Sequence, residues 1–139
     1  DPATGVQGCV PHYGIYDPRD GFRAFFERVV LKCAPDECPE RWAAASPIEQ
    51  VHADAPPFLV LHGTFDSLSP VGQARPFVRA LQEVATEPVA YAELPAAQHA
   101  FDTFHTVRST HVVNGVARWL AWLHARRSAD AGHPAEHHV

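Results

Sequence analysis

Apolar positions along the chain fall into two alternating patterns, short unbroken runs and longer stretches with helical spacing. Gly8-Cys9-Val10-Pro11-His12-Tyr13-Gly14 reads as a short apolar strand ending at a glycine. A helix start follows: Asp17 suits the N-cap, Pro18 the first helical position, and Asp20 adds negative charge to the first turn. Phe22, Phe25, Phe26, Val29 and Val30 then share one face, which predicts a helix over 18–32. Pro35 and Pro39 interrupt it, a further turn around Trp42 is expected over 40–45, and Ser46-Pro47 stops that turn.

The second half repeats the alternation. Phe58-Leu59-Val60-Leu61 is unbroken and bracketed by Pro56-Pro57 and Gly63, as suits a strand covered on both faces. Ser69 as cap and Pro70 open a helix whose buried side carries Ala74, Phe77, Val78, Leu81 and Val84. Val89 to Leu94 is the next strand. The last helix is expected over 109–127, with Val113, Val116, Leu120 and Leu123 as its buried stripe and Trp119 and Trp122 at the flanks. Residues 128–139 read as a frayed tail. Strands alternating with helices predict an α/β class protein with three parallel strands and flanking helices. Three strands are few for such a sheet, and the first would keep an unpaired edge.

Composition narrows the function. The 139 residues carry a net charge of −5, so no basic stripe is available for phosphates and nucleic acid is excluded as a partner. The longest apolar run, Pro56 to Leu61, is too short to span a bilayer, and no stretch has the form of a signal peptide. No methionine occurs and the chain opens at Asp1, which predicts a processed or excised piece of a longer protein. Cys9, Cys33 and Cys38 cannot all pair within one chain. Reduced, inert thiols are the expectation. A local Cys33–Cys38 disulfide is the alternative and would point to an oxidising compartment.

In open α/β sheets, working residues sit on loops leaving the carboxyl ends of strands. One such loop is His62-Gly63-Thr64-Phe65-Asp66-Ser67-Leu68-Ser69-Pro70, and the next is Pro95-Ala96-Ala97-Gln98-His99-Ala100-Phe101. Asp66 on the first and His99 on the second are the candidate catalytic residues. A carboxylate there can hold the imidazole, fix its tautomer and stabilise the imidazolium formed during general-base catalysis.

The segment Pro-Phe-Leu-Val-Leu-His-Gly-Thr-Phe-Asp at 57–66, followed by Pro70, resembles the acid loop of α/β-hydrolases, and Gln98-His99-Ala100-Phe101 resembles their histidine loop. Ala45-Ser46-Pro47-Ile48 is similar to the segment before the acid strand in esterases and lipases related to hormone-sensitive lipase. Residues 10–17 look like the strand after the nucleophile's helix in the same family. The resemblance covers residues 8–127. It implies the carboxyl-terminal portion of the α/β-hydrolase fold, strands six to eight, with a helical cap-like insertion over 18–45. It also implies Asp66 as triad acid and His99 as general base, in the chain order of that fold.

Departures from the family pattern matter equally. There is no Gly-x-Ser-x-Gly nucleophile elbow and no His-Gly-Gly-Gly run for an oxyanion hole. Ala96 and Ala100 stand where such loops often carry glycine. The expectation is therefore an ester hydrolase whose nucleophile lies in an amino-terminal remainder, the partner of this chain, with the chain alone inactive. No cofactor or metal is needed, and the substrate is a small ester with an apolar acyl group. A serine peptidase of prolyl-oligopeptidase type and a non-catalytic hydrolase-like binding module are the alternatives. Among other candidates, His62 reads as support beneath the acid loop and Phe101 as core. Tyr13 and Tyr16 lie close enough in sequence to the strand end to approach the site. The Phe22–Val30 stripe is either a lid or ordinary core, and His133, His137 and His138 form at most a weak metal-binding tail.

Overall fold

The computed structural model describes residues 5–131. The chain divides into two compact units, Asp1–Phe101 and Asp102–Val139.

In the first unit, β1 (Phe58–Gly63) and β2 (Val89–Leu94) pair in parallel, from Phe58 opposite Val89 to Gly63 opposite Leu94. The expected first strand lies on the other side of β1, joined by bridges at Cys9–Phe58 and His12–Leu61. Its ladder is incomplete for a simple reason. Cys9 N–H donates to Pro57 O, Cys9 O accepts from Leu59, Pro11 O accepts from Leu61, and Tyr13 N–H donates to Leu61 O. Pro11 has no N–H, so the bond that would run from its nitrogen cannot form. β1 thus lies in the middle, with β2 on one side and the edge segment on the other.

The segment 18–45 departs from the expected helices. No helix starts at Pro18: Asp17 Oδ1 accepts from the Arg19 N–H and Nε, both at 2.9 Å, so its carboxylate closes a turn instead of capping a helix. Gly21, with φ +81°, then turns the chain into the left-handed region, and a short helix α1 begins only at Arg23 (Arg23–Phe25). A π-type turn, Phe26–Val30, follows, in which the Leu31 N–H donates to Phe26 O at 2.7 Å. Phe25, Val29 and Val30 are about half exposed, so the stripe read from periodicity is not core here.

The turn expected around Trp42 is α2 (Pro39–Ala44); Trp42 is fully buried and its indole donates to Cys33 O at 3.1 Å. The thiols at 33 and 38 are not reduced. Turn bonds from Glu37 and Cys38 to Ala34 O bring their Cα atoms to 6.2 Å, within disulfide reach, and the two form a disulfide while Cys9 stays free.

α3 (Ala74–Val84) lays Ala74, Phe77, Val78 and Leu81 against β1, in a core with Tyr16, Ala55 and Val60. Val84 is largely exposed. Ser69 does not cap this helix. A 3₁₀ turn, Val71–Gln73, comes first, and Ser69 Oγ donates to Gly14 O at 2.8 Å. Buried Gln73 fastens the loop after the edge segment: its Oε1 accepts from the Tyr16 N–H at 3.2 Å, and its amide donates to Asp20 O. On the outer side, Arg75 makes a fork with Glu93 of β2 at 2.7 and 2.9 Å. That fork holds the Glu93 carboxyl down at about 2.

The second unit contains α4 (Val107–Ala131). Thr106 caps it in a reciprocal pair: Thr106 Oγ1 accepts from the Ser109 N–H at 3.1 Å, and Ser109 Oγ accepts from the Thr106 N–H at 2.8 Å. Its buried apolar residues among those described are Val112 and Leu123, with Val116 and Trp119 half-buried between them. Val113 and Leu120, expected inside, are exposed. Val112/Val113 and Trp119/Leu120 are adjacent apolar pairs, so two stripes have the same three-four spacing and periodicity does not choose between them. α4 continues past the expected end at 127, and the rest of the expected tail, with His133, His137 and His138, lies outside the described residues. Among the described residues no helix is long and apolar enough to cross a membrane.

Candidate active site

Because β1 and β2 are parallel, the loops after Gly63 and after Leu94 leave the sheet at the same end. They are sewn together by main-chain bonds. The Thr64 N–H donates to Leu94 O and the Phe65 N–H to Ala97 O, each at 3.0 Å, and the Ala96 N–H donates to Thr64 Oγ1 at 2.9 Å. Gly63 makes this approach possible. A Cβ there would lie 2.3 Å from Ala97 O, closer than any real contact, and the atom it meets is backbone that cannot swing aside. Gly63→Ala is therefore expected to push the second loop off the first. Hydrogen exchange should show faster exchange at the Phe65 amide, with unfolding about 1–3 kcal/mol easier, as for other overpacked sites. Unchanged protection at Phe65 would contradict this account.

The second loop takes its shape against local preference. Ala96 and Ala100 adopt φ +54° and +56°, values that favour glycine, so the loop keeps a glycine-like path despite carrying alanine.

Asp66 and His99 meet at the rim of these loops. The Asp66 side chain is wholly buried, and its Oδ2 lies 2.8 Å from His99 Nδ1. Its Oδ1 accepts the N–H groups of Leu68 at 2.9 Å and Ser69 at 2.8 Å. An ionised carboxylate only accepts, so the imidazole carries its proton on Nδ1 and presents the Nε2 lone pair. Two backbone donors and one ring donor compensate the cost of burying this charge. The arrangement can take a proton from a hydroxyl at Nε2 while holding the resulting imidazolium.

His62 lies beneath the carboxylate, fully buried, as the sequence suggests. Its Nε2 is 2.7 Å from Ser69 O and 3.6 Å from Asp66 Oδ2, and its Nδ1 has no hydrogen-bond partner. Nε2–H therefore donates to Ser69 O. It thereby braces the residue whose N–H holds Asp66.

The two tyrosines part company. Tyr16 points into the core, stacked on Phe77 at 4.3 Å, and burial pushes its phenol up to about 12. Tyr13 turns to the site, its ring centroid 4.4 Å from that of His99. Phe101 is half-buried, with its ring stacked on His12 at 5.8 Å and edge-on to Tyr13 at 5.4 Å. Sequence reasoning ranked Tyr13 no higher than Tyr16. The signal separating them is register, since Tyr13 ends the edge segment one residue past His12, the partner of Leu61, just before the acid loop.

Comparison with known proteins agrees with this architecture. The sequence profile of the prolyl oligopeptidase family matches residues 7–126. The chain is 44% identical over 135 residues to the probable carboxylic ester hydrolase LipM of Mycobacterium tuberculosis, covering 92% of this chain and 31% of that protein. It is 42% identical over 130 residues to the esterase LipQ of the same organism, covering 89% of this chain and 31% of that protein. The chain thus spans about a third of the length of these curated relatives. Its backbone superimposes on the propionate-bound esterase of Thermogutta terrifontis with a TM-score of 0.67, at 19% identity, over 85% of this chain and 43% of that one. The sheet, its flanking helices and the two loops are part of an α/β-hydrolase fold.

Proposed function

Since this chain belongs to the prolyl oligopeptidase family, we propose that it supplies the acid and the general base of a serine hydrolase acting on carboxylic esters. Asp66 is the acid and His99 the base. The nucleophilic serine and the oxyanion donors come from sequence outside this chain. The observation that carries this reading is the 2.8 Å contact between Asp66 Oδ2 and His99 Nδ1, with Oδ1 tied to two backbone N–H groups. In the reaction, His99 Nε2 takes the proton of the serine hydroxyl as its oxygen bonds to the ester carbonyl carbon. The carbonyl π pair moves onto oxygen and returns as the alkoxide leaves. The imidazolium of His99 gives its proton to that alkoxide as it departs, releasing the alcohol, and water repeats the sequence on the acyl-enzyme to release the acid. Asp66 keeps Nδ1–H in place throughout and stabilises the transient imidazolium.

The likeness to LipM and LipQ supports carboxylic esters as the substrate class, and small esters with apolar acyl groups are the substrates proposed within it. The family's name favours a second reading, hydrolysis of proline-containing peptides, which the same acid and base would serve. The whole protein assayed on short-chain aryl esters and on proline-containing peptide anilides separates them. Ester turnover is expected, and hydrolysis of the anilides alone would reject the esterase reading. This chain by itself is expected to be silent on both, because loss of the nucleophile alone costs on the order of 10⁶ in turnover.

A further inference from the structure

We propose that Tyr13 is a positioning residue for His99, its aromatic ring stabilising the imidazolium that forms when Nε2 takes the proton. This rests on the reading of His99 as the general base.

Three observations carry it. The two ring centroids are 4.4 Å apart with planes tilted by 54°, so a charge on His99 falls well inside the range over which an aromatic ring attracts a cation. Tyr13 holds this place at φ +41°, the left-handed region that a bulky aromatic residue rarely enters. The surroundings keep it there: the Tyr13 N–H donates to Leu61 O at 2.9 Å, and Phe101 packs edge-on at 5.4 Å against the Tyr13 ring. Backbone strain maintained by a ladder bond and ring packing marks a residue whose side chain is wanted where it is.

Among the described residues, the titratable groups around His99 include Asp66 and, behind it, His62 from β1 and its loop, with Tyr13 from the edge segment and His12 beside Tyr13. Asp66 accounts for the orientation of Nδ1–H. Tyr13 contributes little to the neutral ring and more to the cation, so its effect appears when Nε2 has taken the proton. An interaction that favours the charged form raises the imidazole midpoint, and its removal lowers that midpoint.

The test uses the whole enzyme with Tyr13→Phe, Tyr13→Leu, and a ring-trifluorinated phenylalanine placed at position 13, which keeps the shape and drains negative charge from the ring face. His99 is titrated by NMR, and kcat/KM is followed against pH. Tyr13→Phe should match the parent. The leucine and trifluorinated forms should lower the His99 midpoint by about half a pH unit, move the acid limb of kcat/KM to lower pH with it, and lower plateau kcat about threefold at nearly constant KM. An unchanged midpoint in the trifluorinated protein, which keeps the packing even if the leucine variant folds poorly, would overturn the proposal. So would an equal fall in the phenylalanine variant. The NMR midpoint is independent of turnover, so it reports on Tyr13 even if His99→Gln keeps activity and the assignment of the base fails.

Discussion

His99→Ala in the whole enzyme is expected to lower kcat on the order of 10⁶-fold while leaving KM within a few-fold, because the imidazole acts only as the proton moves. The fold should survive. The His99 side chain is 30% exposed, and Asp66 keeps both backbone N–H groups on Oδ1 when the ring is gone. Near-native circular dichroism together with collapsed turnover is therefore the expected pair of results. Turnover within tenfold of the parent would remove His99 from the reaction and with it the proposed acid–base pair.

Asp66→Asn should cost about 10⁴ in kcat for a different reason. The asparagine carbonyl can still accept from Leu68 and Ser69, which leaves the amide NH₂ facing His99 Nδ1, where the carboxylate oxygen now accepts. A donor facing Nδ1 requires Nδ1 to accept, so the ring proton moves to Nε2, the position that must be unprotonated to act as a base. Nitrogen-15 NMR of the imidazole reads this directly: Nδ1–H in the parent, Nε2–H in the variant. A variant with the parent's tautomer and full activity would show that Asp66 does not govern the ring.

Much of this site was legible in the sequence. The unbroken run Phe58–Leu61 read as a strand covered on both faces, and parallel strands put their following loops at one end, where the pairing of β1 with β2 brings Asp66 and His99 together. What escaped depended on single torsions and on choices between equivalent neighbours. Gly21 at φ +81° delays α1, although Asp17-Pro18 reads as a helix start, since a good cap does nothing when the chain turns left before the helix begins. The face of α4 was ambiguous because apolar residues sit side by side at 112–113 and 119–120. The Cys33–Cys38 disulfide depends on a turn closed onto Ala34 O, which spacing alone does not disclose. Tyr13 could not be preferred to Tyr16 without knowing where the edge segment ends.

The missing Cβ at Gly63 has a bearing on engineering. With the Ala97 carbonyl resting 2.3 Å from where that atom would be, the turns bearing Asp66 and His99 share one mechanical joint. A chimera that imports only one of them from a related hydrolase inherits a mismatched hinge, so the pair should be transplanted as a single cassette with the glycine included.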